Sequence, residues 1–296
     1  MATILGGIGT SHVPTIGVAW DRKKQNDPDW APLFEGYAPV AKWLAEKAPD
    51  VLVFFYNDHA TTFFFDHYPT FALGVGETYA IADEGLGPRP IPPLKGHVGL
   101  SRHLAECLVE DEFDIATWQD LPIDHGCHSP LTMFWPPRPD WPGKIVPIEV
   151  NVLQHPIPTP MRCWKLSQAV RRAILSYPED LKVVIVGTGG LSHQMNGERA
   201  GFNNEEWDMK FLDLIDRDPE TLTAMRHADY IRLGGTEGAE IIMWLAMRGA
   251  LSDGARKIHQ NYYLPMTSAM AVAVFEEPPT PRAAKGRVAF AAREPE

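Results

Sequence analysis

Cysteine is scarce in this sequence: there are three in 296 residues, Cys107, Cys127 and Cys163, and no two form a CxxC pair. So small and odd a set argues against a disulfide framework or a structural zinc site, and a reducing cytoplasm is the compartment that fits. Long apolar runs are missing as well. No stretch approaches the roughly 18 residues that a membrane span needs. The opening residues, MATILGGIGTSHVP, have neither the basic start nor the apolar core of a signal peptide. Positive charge is in deficit, with 27 Lys and Arg against 38 Asp and Glu and a formal net charge of −11. No basic surplus exists to displace counterions from nucleic acid or to hold an anionic membrane, although one small pocket can still be locally positive. Fixed-period repeats and low-complexity tracts are absent.

What remains is ordinary soluble-protein composition, 45% hydrophobic and 22% charged, in a chain long enough to bury a large core. Short β-rich runs alternate with helical patterns. The strand candidates cover 3–8, 51–56, 70–75, 114–118, 144–150, 183–186 and 269–275. The runs at 51–56 and 183–186 are continuously apolar, as suits central strands covered on both faces. Helix candidates cover 39–47, 97–110, 161–176, 205–216 and 236–249. The alternation predicts a layered α/β/α single domain with a central, mostly buried mixed sheet. That domain is expected over 1–277, with an extended C-terminal tail over 278–296 that is rich in Pro, Ala and charge.

Three of the 11 histidines share a location. His12 follows the first strand, His59 follows the run at 51–56, and His193 follows the run at 183–186. Ligands of open α/β sheets bind outside the carboxyl ends of strands, so these three can converge on one cleft. His125 follows the 114–118 strand after a short loop, and His128 rivals it. A lone loop histidine is more often hydrogen-bonded or solvated than a ligand, and His103, His155, His227 and His259 stay with that reading. Two neutral imidazoles and one carboxylate on one face of a metal make a non-haem Fe(II) oxygenase site. The carboxylate candidates are Glu240, Glu237, Asp58 and Asp124. Glu237 suits the positive start of a helix, whereas Glu240 borders a strongly apolar run, where a carboxylate needs a partner or a metal. The run from Gly187 to Gly190 lacks the spacing of a phosphate loop and reads as a tight turn aiming His193 inward.

At these residues the chain resembles the class III extradiol ring-cleavage dioxygenases. The resemblance lies in Gly9-Thr-Ser-His-Val-Pro14, Tyr56-Asn-Asp-His-Ala60, the segment 82–90, Asp124-His-Gly-Cys127, Gly187-Thr-Gly-Gly-Leu-Ser-His-Gln194 and Glu237-Gly-Ala-Glu-Ile-Ile-Met-Trp244. It covers nearly the whole chain and weakens in the tail. It implies Fe(II) held by His12, His59 and Glu240, with His193 as acid/base and His125 as a second active-site histidine. It further implies that Asn57, Thr267 and Ser268 contact substrate, a carboxylated catechol opened by O₂. Within the family, the resemblance is to the catalytic β subunits that open protocatechuate at the 4,5-bond beside a small α subunit. Gallate or methylated gallate is the rival substrate. A zinc hydrolase using the same ligands and a non-catalytic binding relative are the readings from other classes.

Overall fold

The computed structural model describes residues 1–85 and 87–279, so the expected tail lies, from 280 onward, outside the described residues. The strands are β1 (Thr3–Thr10), β2 (Val51–Tyr56), β3 (Phe71–Gly74), β4 (Thr78–Tyr79), β5 (Leu94–Lys95), β6 (Ala116–Trp118), β7 (Lys144–Val150), β8 (Lys182–Thr188), β9 (Arg256–Tyr263) and β10 (Met270–Glu276). The α-helices are α1 (Pro14–Asp21), α2 (Ala31–Lys47), α3 (Val98–Glu110), α4 (His125–Phe134), α5 (Pro160–Ser176), α6 (Glu205–Arg217), α7 (Pro219–Ala224), α8 (His227–Gly234) and α9 (Ile242–Gly249).

Eight strands form one mixed sheet in the order β6-β3-β7-β2-β8-β1-β10-β9, and β4 pairs with β5 apart from it. The central four, β7, β2, β8 and β1, are parallel; β3 joins β7 and β10 joins β1 antiparallel. Alternate residues of β2 feed two cores. Val51, Val53 and Phe55 pack beneath α3, α5 and α9, while Leu52, Phe54 and Tyr56 pack beneath α2 and α4. All six are fully buried, which is why this strand reads as an unbroken apolar run. This is the layered α/β/α arrangement expected. The three cysteines are free and buried. Among the described residues, no helix is long and apolar enough to cross a membrane.

The sheet order decides where chemistry can gather. β2, β8 and β1 are consecutive parallel neighbours, so their carboxyl ends lie side by side, about 4.8 Å apart per strand. The loops leaving these three ends carry His59, His193 and His12. The helix expected over 236–249 is two pieces: a 3-10 turn at Glu237–Ile241, then α9. In a 3-10 turn, side chains three apart eclipse one another, so Glu237 and Glu240 share one face more closely than an α-helix would allow.

Candidate active site

Each site residue is placed by a strand end or a helix start. His12 lies two residues past β1 and is 1% exposed. Its Nε2 is 2.9 Å from Glu240 Oε2, and its Nδ1 is 3.1 Å from Thr188 Oγ1. His59 lies three residues past β2. Its Nε2 is 3.2 Å from Glu240 Oε1, and its backbone N–H and Nδ1 both lie 2.8 Å from Asp124 Oδ2. Asp124 also caps α4, its Oδ1 accepting the Gly126 N–H, so one carboxylate fixes both a helix start and an imidazole. The His12 and His59 rings meet edge-on with centroids 5.0 Å apart.

The turn that carries His193 depends on missing side chains. A Cβ on Gly189 would sit 2.3 Å from the Glu240 carbonyl oxygen, and one on Gly190 would sit 2.3 Å from the His193 ring. Only glycine lets the turn press against both, as the sequence reading of this run implies. His193 is buried and donates Nδ1–H to the Leu191 carbonyl at 2.9 Å, which leaves Nε2 unengaged. Behind it, the buried Asp208 accepts from the Ser192 N–H and hydroxyl, and Asn203 ties Ser192 to the Thr267 carbonyl.

His12, His59, His125, His193, Glu237, Glu240, Thr267 and Ser268 all line one cavity of about 290 Å³, together with Trp30, Met195 and Met266. A larger groove of about 740 Å³ lies at the opposite, amino ends of β2 and β7 and holds none of these residues. The convergent chemistry, not the volume, identifies the site.

The electrostatics centre on Glu240. Burial alone would raise its pKa, but the His12 and His59 rings overturn that and hold it well below the usual carboxylate range. Burial likewise opposes ionisation of Asp124, and His59 reverses it. Burial also disfavours charging both imidazoles. It prevails at His12, whose pKa is lowered, whereas Asp124 and Glu240 prevail at His59 and raise its pKa well above the ordinary value. Two buried carboxylates therefore demand positive charge between them, which a proton on His59 or a divalent metal can supply. With Nδ1 of each imidazole tied to Thr188 or Asp124, the two Nε2 atoms and Glu240 are the atoms free to face such an ion. The donor set fits the two-histidine, one-carboxylate pattern. Nitrogens of His12, His59 and His125 also lie within 4.8 Å of one another, which brings His125 to the edge of the same centre. His125 stacks on His59 at 3.9 Å and its Nδ1 is held by Glu84, so its ring is committed elsewhere than Glu240.

Several residues stand differently from the reading of the sequence. Asn57 is 1% exposed and is not among the residues lining the cavity; its Nδ2 donates to Glu240 Oε1 at 3.2 Å, so it holds that carboxylate. Asp58 accepts the backbone N–H groups of Thr61, Thr62 and Phe63 and builds a turn. His128 separates from His125: it is buried against Arg89, away from the cavity. His103 and His259 bond backbone carbonyls and are structural. Glu84 and Thr188 were missed as His125 and His12 partners, although both sit inside segments that the resemblance singled out.

An open α/β sheet whose carboxyl edge gathers two imidazoles, a buried carboxylate and a third imidazole with an unengaged Nε2 offers a donor set that fits a metal. The chain belongs to the family of the catalytic LigB subunit of aromatic ring-opening dioxygenase, whose pattern matches residues 6–275, and thus to the class III extradiol enzymes. A gallate dioxygenase of Pseudomonas putida is 56% identical over 196 residues, covering 66% of this chain and 58% of its own length. A 2,3-dihydroxyphenylpropionate/2,3-dihydroxicinnamic acid 1,2-dioxygenase 1 of Dechloromonas aromatica is 27% identical over 311 residues, covering 88% of this chain and 94% of its own. A similarly named enzyme of Photorhabdus laumondii is 26% identical, covering 89% and 94%.

Proposed function

We propose that this chain is a non-haem Fe(II) extradiol dioxygenase that opens the ring of a carboxylated catechol with O₂. The observation that carries the reading is the single cavity in which Glu240, His12 and His59 converge beside the free Nε2 of His193. In this reading His12, His59 and Glu240 hold the iron, which when bound supplies a Lewis-acidic, redox-active centre for a vicinal diol and O₂. The remaining work falls to side chains. With Nδ1–H spent on Leu191, His193 Nε2 takes the proton of a substrate hydroxyl and returns it later. His125, pinned by Glu84, hydrogen-bonds the substrate in the same cavity.

The cavity is at the small end of ligand sites, as a single substituted ring requires. Among the described residues no Lys or Arg lines it, so the substrate carboxylate is met by the hydroxyls of Thr267 and Ser268. Protocatechuate opened at its 4,5-bond is the first substrate reading. Gallate is the second, favoured by the 56% identity to the Pseudomonas putida gallate dioxygenase. A small second subunit is proposed to cover the cavity mouth, where Met195 and Met266 are 57% and 68% exposed.

The test is anaerobic loading with Fe(II), followed by oxygen uptake with catechol, protocatechuate and gallate. Ring opening of either acid, with catechol much poorer, is expected. Oxygen uptake with none of the three, or equal kcat/KM for catechol and the acids, would overturn the reading.

A further inference from the structure

We propose that Thr188 is a positioning residue that fixes the tautomer of His12 and so keeps its Nε2 lone pair available to a metal. The inference rests on the reading that His12, His59 and Glu240 form a metal site.

Thr188 is the last residue of β8, is fully buried, and belongs to the glycine-rich turn that no catalytic role absorbed. A hydroxyl has one proton and two lone pairs. Thr188 Oγ1 lies 2.6 Å from the Gly126 carbonyl oxygen, which can only accept, so the hydroxyl proton goes there. The contact to His12 Nδ1, at 3.1 Å, must then run the other way, with the imidazole donating Nδ1–H to the oxygen. A neutral imidazole has one N–H, so Nε2 carries a lone pair. That atom faces Glu240 Oε2 at 2.9 Å, acceptor against acceptor, an arrangement that a cation between them would satisfy.

Without the Thr188 oxygen, nothing holds the proton on Nδ1. It can move to Nε2 and donate to the Glu240 carboxylate, a charge-assisted hydrogen bond that a metal would have to break. Asp124 plays the matching part for His59, but it also caps α4, so removing it confounds metal binding with folding. Thr188 does not cap α4, since the N-terminal N–H of that helix is met by Asp124. Its hydroxyl does donate to the Gly126 carbonyl in the first turn of α4, so one oxygen links β8, the His12 loop and the element carrying His125.

The experiment compares metal-free wild type, Thr188→Val, Thr188→Ser and Glu240→Ala. Dissociation constants for Fe(II) and Zn(II) are measured anaerobically by competition with a chelator. Thr188→Val keeps the shape and loses the oxygen, and is expected to bind metal about 10- to 100-fold more weakly, whereas Thr188→Ser stays within about threefold of wild type. Val binding as tightly as wild type overturns the inference alone, provided that Glu240→Ala has lost the metal. Wild type that binds no metal, or Glu240→Ala that binds normally, overturns the metal-site reading itself. Should Thr188→Val fail to fold, ¹⁵N-imidazole NMR of the Zn(II)-loaded wild type decides: Nδ1 of His12 protonated supports the assignment, and Nδ1 on the metal overturns it.

Discussion

Glu240 and Glu237 are three residues apart on one face of a 3-10 turn, yet they are held differently. Glu240 is 1% exposed and touches both imidazoles, whereas Glu237 accepts the Met195 N–H at the cavity wall. Glu240→Ala is therefore expected to abolish iron binding and Glu237→Ala to spare it, as metal analysis of the purified variants will show; the reverse result would mean the carboxylate has been misassigned. His193 gives a different signature. His193→Phe should retain iron while kcat falls by about 10²-fold or more, the cost of losing a general acid/base. Loss of iron in that variant would place His193 on the metal instead. His128 yields a stability prediction. Burial, with the Arg89 charge beside it, pushes its pKa from 6.5 down to about 3. The unfolded chain takes up a proton below pH 6.5 that the folded chain refuses until about pH 3, so the fold loses stability as pH falls through that window. The loss from this one group is on the order of several kcal/mol when complete. His128→Gln should show a shallower drop in urea midpoint between pH 7 and pH 4.5, and an identical drop in both proteins would remove His128 from the account. The sequence exposed His12, His59 and His193 because each follows a strand end. It named Asn57 and His128 but could not give their partners, which lie 183 and 39 positions away.

At the scale of elements, the strands that read well are those buried on both faces. The run at 51–56 and the strand at 144–150 match β2 and β7 residue for residue. β9, Arg-Lys-Ile-His-Gln-Asn-Tyr-Tyr, was not legible: it is an edge strand with no buried face, defined by its pairing to β10 rather than by its composition. α4 was hidden for another reason. It contains Gly126 and Pro130, which propensity assigns to turns, and it is held by the Asp124 cap and by burial of nearly every residue. α2 begins eight residues earlier than the expected start at Pro39. That proline deprives the Glu35 carbonyl of its helical partner, but both residues face solvent, where water replaces the bond. The glycine-rich turn after β8 was legible as a close approach, and it carries its own prediction. Gly189→Ala forces a Cβ to within 2.3 Å of the Glu240 carbonyl oxygen, which belongs to backbone and cannot swing aside. The variant should lose about 1–3 kcal/mol in urea unfolding and bind metal more weakly, because the 3-10 turn that presents Glu240 must move. Wild-type stability and metal affinity in Gly189→Ala would show that the turn is slack.

At the scale of the molecule, a chain of net charge −11 is read as handling an anionic substrate in a cavity without Lys or Arg among its described lining residues. The proposed iron would offset part of that field, and Thr267 and Ser268 can donate hydrogen bonds, but Thr267 stands exposed at the mouth, where water would compete for the carboxylate. The large aromatics in or beside the loops differ in burial. Trp135 is buried, and Trp20, Trp30 and Phe34 are half-buried and pack partly against the chain's own core. The exposed apolar atoms nearest the cavity belong instead to Met195 and Met266 on its rim. A second subunit seated on that rim would exclude water from the mouth and strengthen each hydrogen bond to the substrate carboxylate. The benefit should then fall mainly on KM for carboxylated catechols and hardly at all on catechol, which has no group at the mouth. Kinetics of the isolated chain against the complex obtained by co-expression with a neighbouring reading frame test this. A KM for protocatechuate or gallate that falls about tenfold or more in the complex, while that for catechol is unchanged, is the expected pattern for recovering one or two charge-assisted bonds. An isolated chain that is monomeric and handles both acids as well as any complex would mean that the cavity is already complete and the rim is ordinary surface.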